Sequence, residues 1–128
     1  MVNKPATLDT VVATNLHADI LSDLAAALAG SLGIAPTANI DPERRYPSMF
    51  EPIHGSAFDI MGQGLANPIG TFWSCVMLLE HLGENEAARQ LMAAIEAVTA
   101  DTALHTRDLG GSAGMADVTR AVIARLAR

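Results

Sequence analysis

The stretch that most limits what this chain can fold into is residues 68–82, PIGTFWSCVMLLEHL. Asn67 before Pro68 marks a helix start, Asn as cap and Pro in the first turn, and Gly83 marks its end. Until Glu80 and His81 the predicted helix is apolar on almost every side. Such a helix demands burial on most of its surface. It is shorter than the ~20 apolar residues that a membrane span requires, so the burial has to come from protein.

The rest of the chain offers modest cover. Residues 8–14 (LDTVVAT) carry a β-branched run that reads as a buried strand. Asn15 opens a helix over about residues 16–29, closed by Gly30, with Leu16, Ile20, Leu24, Ala27 and Leu28 on one arc and Leu21 at its margin. Residues 31–49 are rich in turn formers and support at most short strands, with DPERR at 41–45 as a solvent-facing turn. FEPIHGSAFDI at 50–60 is too irregular for a regular element and reads as a loop. A third helix is expected over about 86–100 after Asn85. A fourth, over about 116–126, follows the glycines at 110, 111 and 114, with Val118, Val122 and Leu126 as its stripe. The fold class is α/β with more helix than strand, one segment spanning 1–128. Its few short strands cannot by themselves cover the helix at 68–82, so the chain reads as part of a larger or associated structure.

Composition narrows the function classes. With 128 residues, 50% of them hydrophobic and 17% charged, the chain is long enough for one domain and is not of the disordered class. Only 4% are aromatic, so aliphatic side chains must fill the core. The net charge is -6 and no basic stripe is present, which argues against nucleic acid as a partner. Arg107, Arg120, Arg125 and Arg128 read as a solvated face. The lone Cys75 excludes an internal disulfide and, among apolar neighbours, reads as a small buried hydrophobe. The first residues lack the pattern of a signal peptide, and a cytoplasmic, non-membrane protein is expected.

Three constellations could carry chemistry. Asp19 and Asp23, four apart on a helix, bring two carboxylates together on one face. They read either as solvated acids favoured by the helix dipole or as hard oxygen ligands suited to Mg²⁺ or Mn²⁺. In the loop at 51–59, Gly55 and Ser56 offer backbone N–H groups to a phosphate and Asp59 an acceptor for ribose hydroxyls. By themselves, His54 more often reads as a hydrogen-bonded structural histidine and Asp59 as a turn or cap residue, and no GxGxxG follows a strand. Asn67 is a helix cap, a base-recognising residue, or both.

Taken together the motifs resemble one family. NLHADILSD at 15–23, Gly30-Ser31-Leu32-Gly33, FEPIHGSAFDI at 50–60, Ala66-Asn67-Pro68 and Asp108-Leu109-Gly110-Gly111 follow the order and spacing of the isocitrate/isopropylmalate dehydrogenases. The segment at 34–50, including NIDPERRYPSMF, is most similar to the tartrate dehydrogenase branch of those β-decarboxylating enzymes. The resemblance implies an isopropylmalate-dehydrogenase-like fold of which this chain is the helix-rich C-terminal part. It implies that Asp19 and Asp23 bind Mg²⁺ or Mn²⁺. It further implies that Glu51, His54, Gly55, Ser56, Ala57 and Asp59 form an NAD-binding loop, and that Asn67 contacts adenine. Asp59-Ile60 matches the NAD-using pattern rather than the Lys-Tyr of NADP users.

The activity implied is oxidation, with decarboxylation in many members, of a 2-hydroxy acid such as tartrate, malate or 3-isopropylmalate by a dimeric enzyme. The catalytic Lys and Tyr, the substrate-binding arginines and a third metal-binding Asp are expected upstream, so no catalytic residue is assigned here and the isolated chain is expected to be inactive. Phe58 stands where the family usually has Pro, His17-Ala18 where Phe-Gly is common, and Met115 where Thr is usual. The competing expectation is an inactive remnant that serves as a helical dimerisation module, or that pairs with a separate N-terminal part.

Overall fold

The structure, a computed structural model, describes residues 2–127. Arg128 of the expected basic face lies outside them. Four helices carry the architecture: α1 (Asn15–Ala29), α2 (Ile69–Leu82), α3 (Asn85–Thr99) and α4 (Met115–Leu126). Two short strands, β1 (Pro36–Asn39) and β2 (Met49–Pro52), pair antiparallel in the register Pro36 to Pro52 and Asn39 to Met49. The helix-rich α/β class with few short strands is therefore as expected.

Helix α2 is the centre of the molecule. One side rests on the β1–β2 ribbon and another on α3, which in turn packs on α4. Buried positions of α3 (Ala88, Leu91, Ile95, Val98) recur at helical spacing and meet Ile69 and Val76 of α2 and Val118 and Val122 of α4. This core is aliphatic, with Phe72 and Trp73 half-buried at its border. Helix α2 stops at Gly83, whose φ of +86° only glycine adopts without strain.

The entrance to α2 is held by close backbone approach. A Cβ on Gly70 would lie 2.9 Å from the carbonyl oxygen of Gly33 and 3.2 Å from that of Ala35. Only a residue without a side chain lets the helix sit so near the turn Leu32–Ile34. That turn is also the principal neighbour of α1 among the described residues.

Several expectations need correction. Residues 8–14 form no strand: they run as exposed, unpaired chain, with Val12 97% exposed. A β-branched run becomes a strand only when a partner satisfies its N–H and C=O groups, and the described residues provide none beside it. The arc expected to be the buried face of α1 is largely open: Leu16, Ile20, Ala27 and Leu28 are exposed, Leu21 and Leu24 are half-buried, and Ala26 is the buried residue. Cys75 is exposed rather than buried. It lies on a third side of α2 with Thr71, Leu78 and Leu82, at helical spacing, and nothing among the described residues packs over that stripe. The loop expected at 50–60 is loop only after Pro52, because Phe50 and Glu51 pair with Ala38 and Thr37.

Candidate functional site

Strand β2 delivers the chain into the loop that follows it, and the N–H of Ile53 donates to the Ala35 carbonyl (3.1 Å), anchoring its first residue. Beyond this point the backbone turns sharply. Ala57 has φ +43°, a left-handed conformation that costs a residue with a Cβ on the order of 1–2 kcal/mol. The Nδ1 atom of half-buried His54 lies 3.0 Å from the Gly55 carbonyl oxygen, to which it donates when protonated. Gly55, Ser56, Phe58 and Asp59 are exposed. Gln63 holds the far end of the loop by donating from Nε2 to the Asp59 carbonyl (2.8 Å).

Under this loop lies a cavity of about 480 Å³, mostly apolar, walled by Gly33, His54, Gly55, Ala57, Ile60, Leu65, Ala66, Asn67, Arg107 and Asp108. His54, Gly55, Ala57 and Asn67 come together here, as a shared nucleotide site would require. Glu51, Ser56 and Asp59 are not in its wall: Glu51 is exposed on β2 opposite Thr37, and Ser56 and Asp59 are exposed on the outer run of the loop. Arg107 and Asp108 belong to the wall although no function was assigned to them from the sequence. The Asp-Leu-Gly-Gly motif at 108–111 was the signal available.

The polar chemistry of the wall converges on Asp108. Its Oδ2 accepts from Ser31 Oγ (2.5 Å) and Asn67 Nδ2 (3.0 Å), and its Oδ1 from Thr106 Oγ1 (2.5 Å). The three donor residues are buried, and with Ser74 they make up the buried polar residues among those described. Asp108 as a residue is exposed because it borders the open cavity; its carboxylate reaches the buried donors. Burial of that carboxyl pushes its pKa up, but the hydrogen bonds from Ser31, Thr106 and Asn67 outweigh this and hold it below the usual aspartate value. Asn67 is committed at both ends, since its Oδ1 accepts from the Ile69 N–H (3.0 Å) and so caps α2. Its second amide N–H donates to no group among the described residues.

Asp19 and Asp23 are both exposed on α1 and do not line this cavity. Their spacing keeps them on one face. Among the described residues no group of three His, Cys, Asp or Glu stands close enough to hold a metal ion. Two carboxylate oxygens donors of this kind fit part of the shell of a hard divalent cation, whose remaining ligands would come from substrate, water or another chain.

Comparison with known proteins gives the family to which this helix-rich fold and its loop-covered cavity belong. The isocitrate/isopropylmalate dehydrogenase family matches residues 1–123, and the chain belongs to that family. It is 70% identical, over 95% of its length, to a probable tartrate dehydrogenase/decarboxylase of Agrobacterium vitis, covering 34% of that protein. It is 53% identical over 98% of its length to a probable tartrate dehydrogenase/decarboxylase of Bacillus subtilis, covering 35% of it. The crystal structure of isocitrate dehydrogenase from Methylococcus capsulatus superposes on the whole chain with a TM-score of 0.92 at 42% identity, and the match covers 38% of that enzyme. The chain thus spans about a third of the length of the relatives it matches. No helix among the described residues is long and apolar enough to cross a membrane.

Proposed function

We propose that this chain supplies the adenosine pocket and two metal-binding carboxylates of an NAD- and Mg²⁺- or Mn²⁺-dependent dehydrogenase that oxidises, and where the substrate allows decarboxylates, a 2-hydroxy acid of the tartrate, malate or 3-isopropylmalate type. The observation that carries this reading is the cavity that gathers His54, Gly55, Ala57 and Asn67 beneath one loop. A flat base, in this reading, lies against apolar wall residues such as Ile60 and Leu65. In this reading Asp59 accepts from ribose hydroxyls at the rim, Ser56 and Gly55 face the phosphates, and Glu51 supports the loop from β2. Asp19 and Asp23 present carboxylate oxygens to the cation.

When bound, NAD supplies a hydride acceptor and the divalent cation a Lewis acid for the substrate oxygen. The residues of this chain bind and orient. Asn67 fixes the edge of the base, and the loop keeps the adenosine half still while the other half reacts elsewhere. No pair of acid and base groups is assigned here, so the chain alone should not turn over substrate. This reading places the protein in the cytoplasm, where pyridine nucleotides are used and a thiol such as Cys75 stays reduced.

A second reading, a non-catalytic association module, is favoured by the open stripe Thr71, Cys75, Leu78 and Leu82 on α2 and by exposed Leu16 and Ile20 on α1. Such surface suits a second copy of the chain or a polypeptide carrying the remainder of the fold. Calorimetric titration of the purified chain with NAD, with and without Mn²⁺, separates the readings. Binding that Asp59→Ala abolishes supports the nucleotide site; a folded chain that binds no NAD leaves association as its role.

A further inference from the structure

Of the buried polar residues Ser31, Asn67, Ser74 and Thr106, all but Ser74 donate to the single carboxylate of Asp108. These donors stand on separate parts of the chain. Ser31 begins the turn after α1, Asn67 leads into α2, and Thr106 opens the short helical turn Arg107–Leu109. Each also fixes backbone of its own segment. Ser31 Oγ accepts from the Gly33 N–H (2.8 Å), Asn67 Oδ1 from the Ile69 N–H (3.0 Å), and the Thr106 carbonyl from the Gly111 N–H (2.9 Å). Gly33 lies so near the junction that a Cβ there would stand 2.7 Å from Asp108 Oδ2 and 3.0 Å from Asn67 Cβ. Gly33, Asn67 and Asp108 all face the cavity.

We propose that Asp108 is a positioning residue of the nucleotide pocket: its carboxylate joins three separate segments into one wall and commits the Asn67 amide to that wall. The proposal rests on the nucleotide reading of the cavity. Ser31 and Thr106 each offer a single hydroxyl proton, and in this arrangement Asp108 receives both. Its acceptor-only, ionised form is therefore what keeps the junction satisfied. The other charged or titratable groups at the cavity are Arg107, next in sequence, and His54 across the opening. Neither forms a hydrogen bond to the carboxylate.

The test compares the chain with Asp108→Asn and with Thr106→Val by two readouts. The first is amide hydrogen exchange without ligand at Gly33 and Ile69, whose N–H groups depend on Ser31 and Asn67. The second is affinity for AMP and for ribose 5-phosphate. Asp108→Asn should speed exchange at both amides by about tenfold, the scale of one lost hydrogen bond, while Leu91, Ile95 and Val98 in α3 exchange as before. AMP should bind about tenfold more weakly, with ribose 5-phosphate changing less than about twofold, so that the adenine-dependent increment is what disappears. A merely structural loss would lower both affinities together, and that result overturns the proposal, as does unchanged exchange at Gly33 and Ile69.

If the parent chain binds neither AMP nor NAD, the nucleotide reading fails on its own, and the exchange data alone decide whether Asp108 organises this wall. Should Asp108→Asn not fold, Thr106→Val carries the decision. Withdrawing one donor should raise exchange at Gly33 and Ile69 by about threefold, and no rise overturns the proposal.

Discussion

Hydrogen bonds at the Asp108 junction differ in what their loss leaves behind. Removing one donor leaves a carboxylate that borders an open cavity and can take water instead, whereas removing the carboxylate leaves three donors on buried residues. Thr106→Val should therefore cost about 1 kcal/mol, and Asp108→Ala about 3 kcal/mol or more, read from urea denaturation midpoints. Equal costs would mean the donors find other acceptors. Gly33→Ala should cost about 1–3 kcal/mol through overpacking, since its methyl would lie 2.7 Å from Asp108 Oδ2. A pH dependence follows as well. The folded pKa of Asp108 lies below its ordinary value of 3.8. Its contribution to stability is thus fully present above the unfolded value and is lost as pH falls through the folded one. The denaturation midpoint of the parent chain should drop more steeply than that of Asp108→Asn as pH falls below about 4; parallel curves would remove Asp108 from the acid transition.

Among the elements, burial separates helices that look alike in sequence. Ile95 of α3 is 3% exposed in the aliphatic core, and Ile95→Ala should cost about 2–5 kcal/mol. Ile20 of α1 is 56% exposed, and Ile20→Gln should change the stability of this chain by less than about 0.5 kcal/mol. A large loss at Ile20 would show that α1 is covered in solution. The helices themselves were legible because local chemistry ends them: Gly30 and Gly83 close α1 and α2, and Asn67 caps α2 from one residue further out than a regular N-cap. The partners of each face were not legible. A β-branched run at 8–14 and an apolar stripe through Cys75 and Leu78 state a need for burial without stating that it is met. β1 and β2 were hard to find because Pro, Ala, Asn and Glu in them carry little strand signal. The loop at 53–60 was legible through its motif, whereas the junction was not, since Ser31 and Asp108 are separated by 77 positions.

At the scale of the whole molecule, a net charge of -6 opposes association while the open apolar surface on α1 and α2 favours it. Added salt weakens the repulsion and leaves the apolar term in place. The sedimentation coefficient of the chain should therefore rise with concentration, and rise further at higher ionic strength. A constant monomer mass at all concentrations and salts would rule out a second copy as the cover. Helix α1, with Asp19 and Asp23, and the cavity under the loop at 53–60 are joined chiefly through the turn Leu32–Ile34. Full activity, as proposed, requires the relatives' additional length or an equivalent partner, and the placement of Asp19 and Asp23 relative to the cavity is set at that turn.

The unequal costs around Asp108 also set an order for evolutionary change. A lineage that no longer needs the pocket can lose Ser31 or Thr106 first, each by a small step that the remaining junction tolerates. Losing Asp108 first would strand both hydroxyls and the Asn67 amide at once, a step that selection on folding alone would remove. Decay of this site should thus run through its donors, with the aspartate the last to go, and it would persist for a time after any nucleotide had ceased to bind.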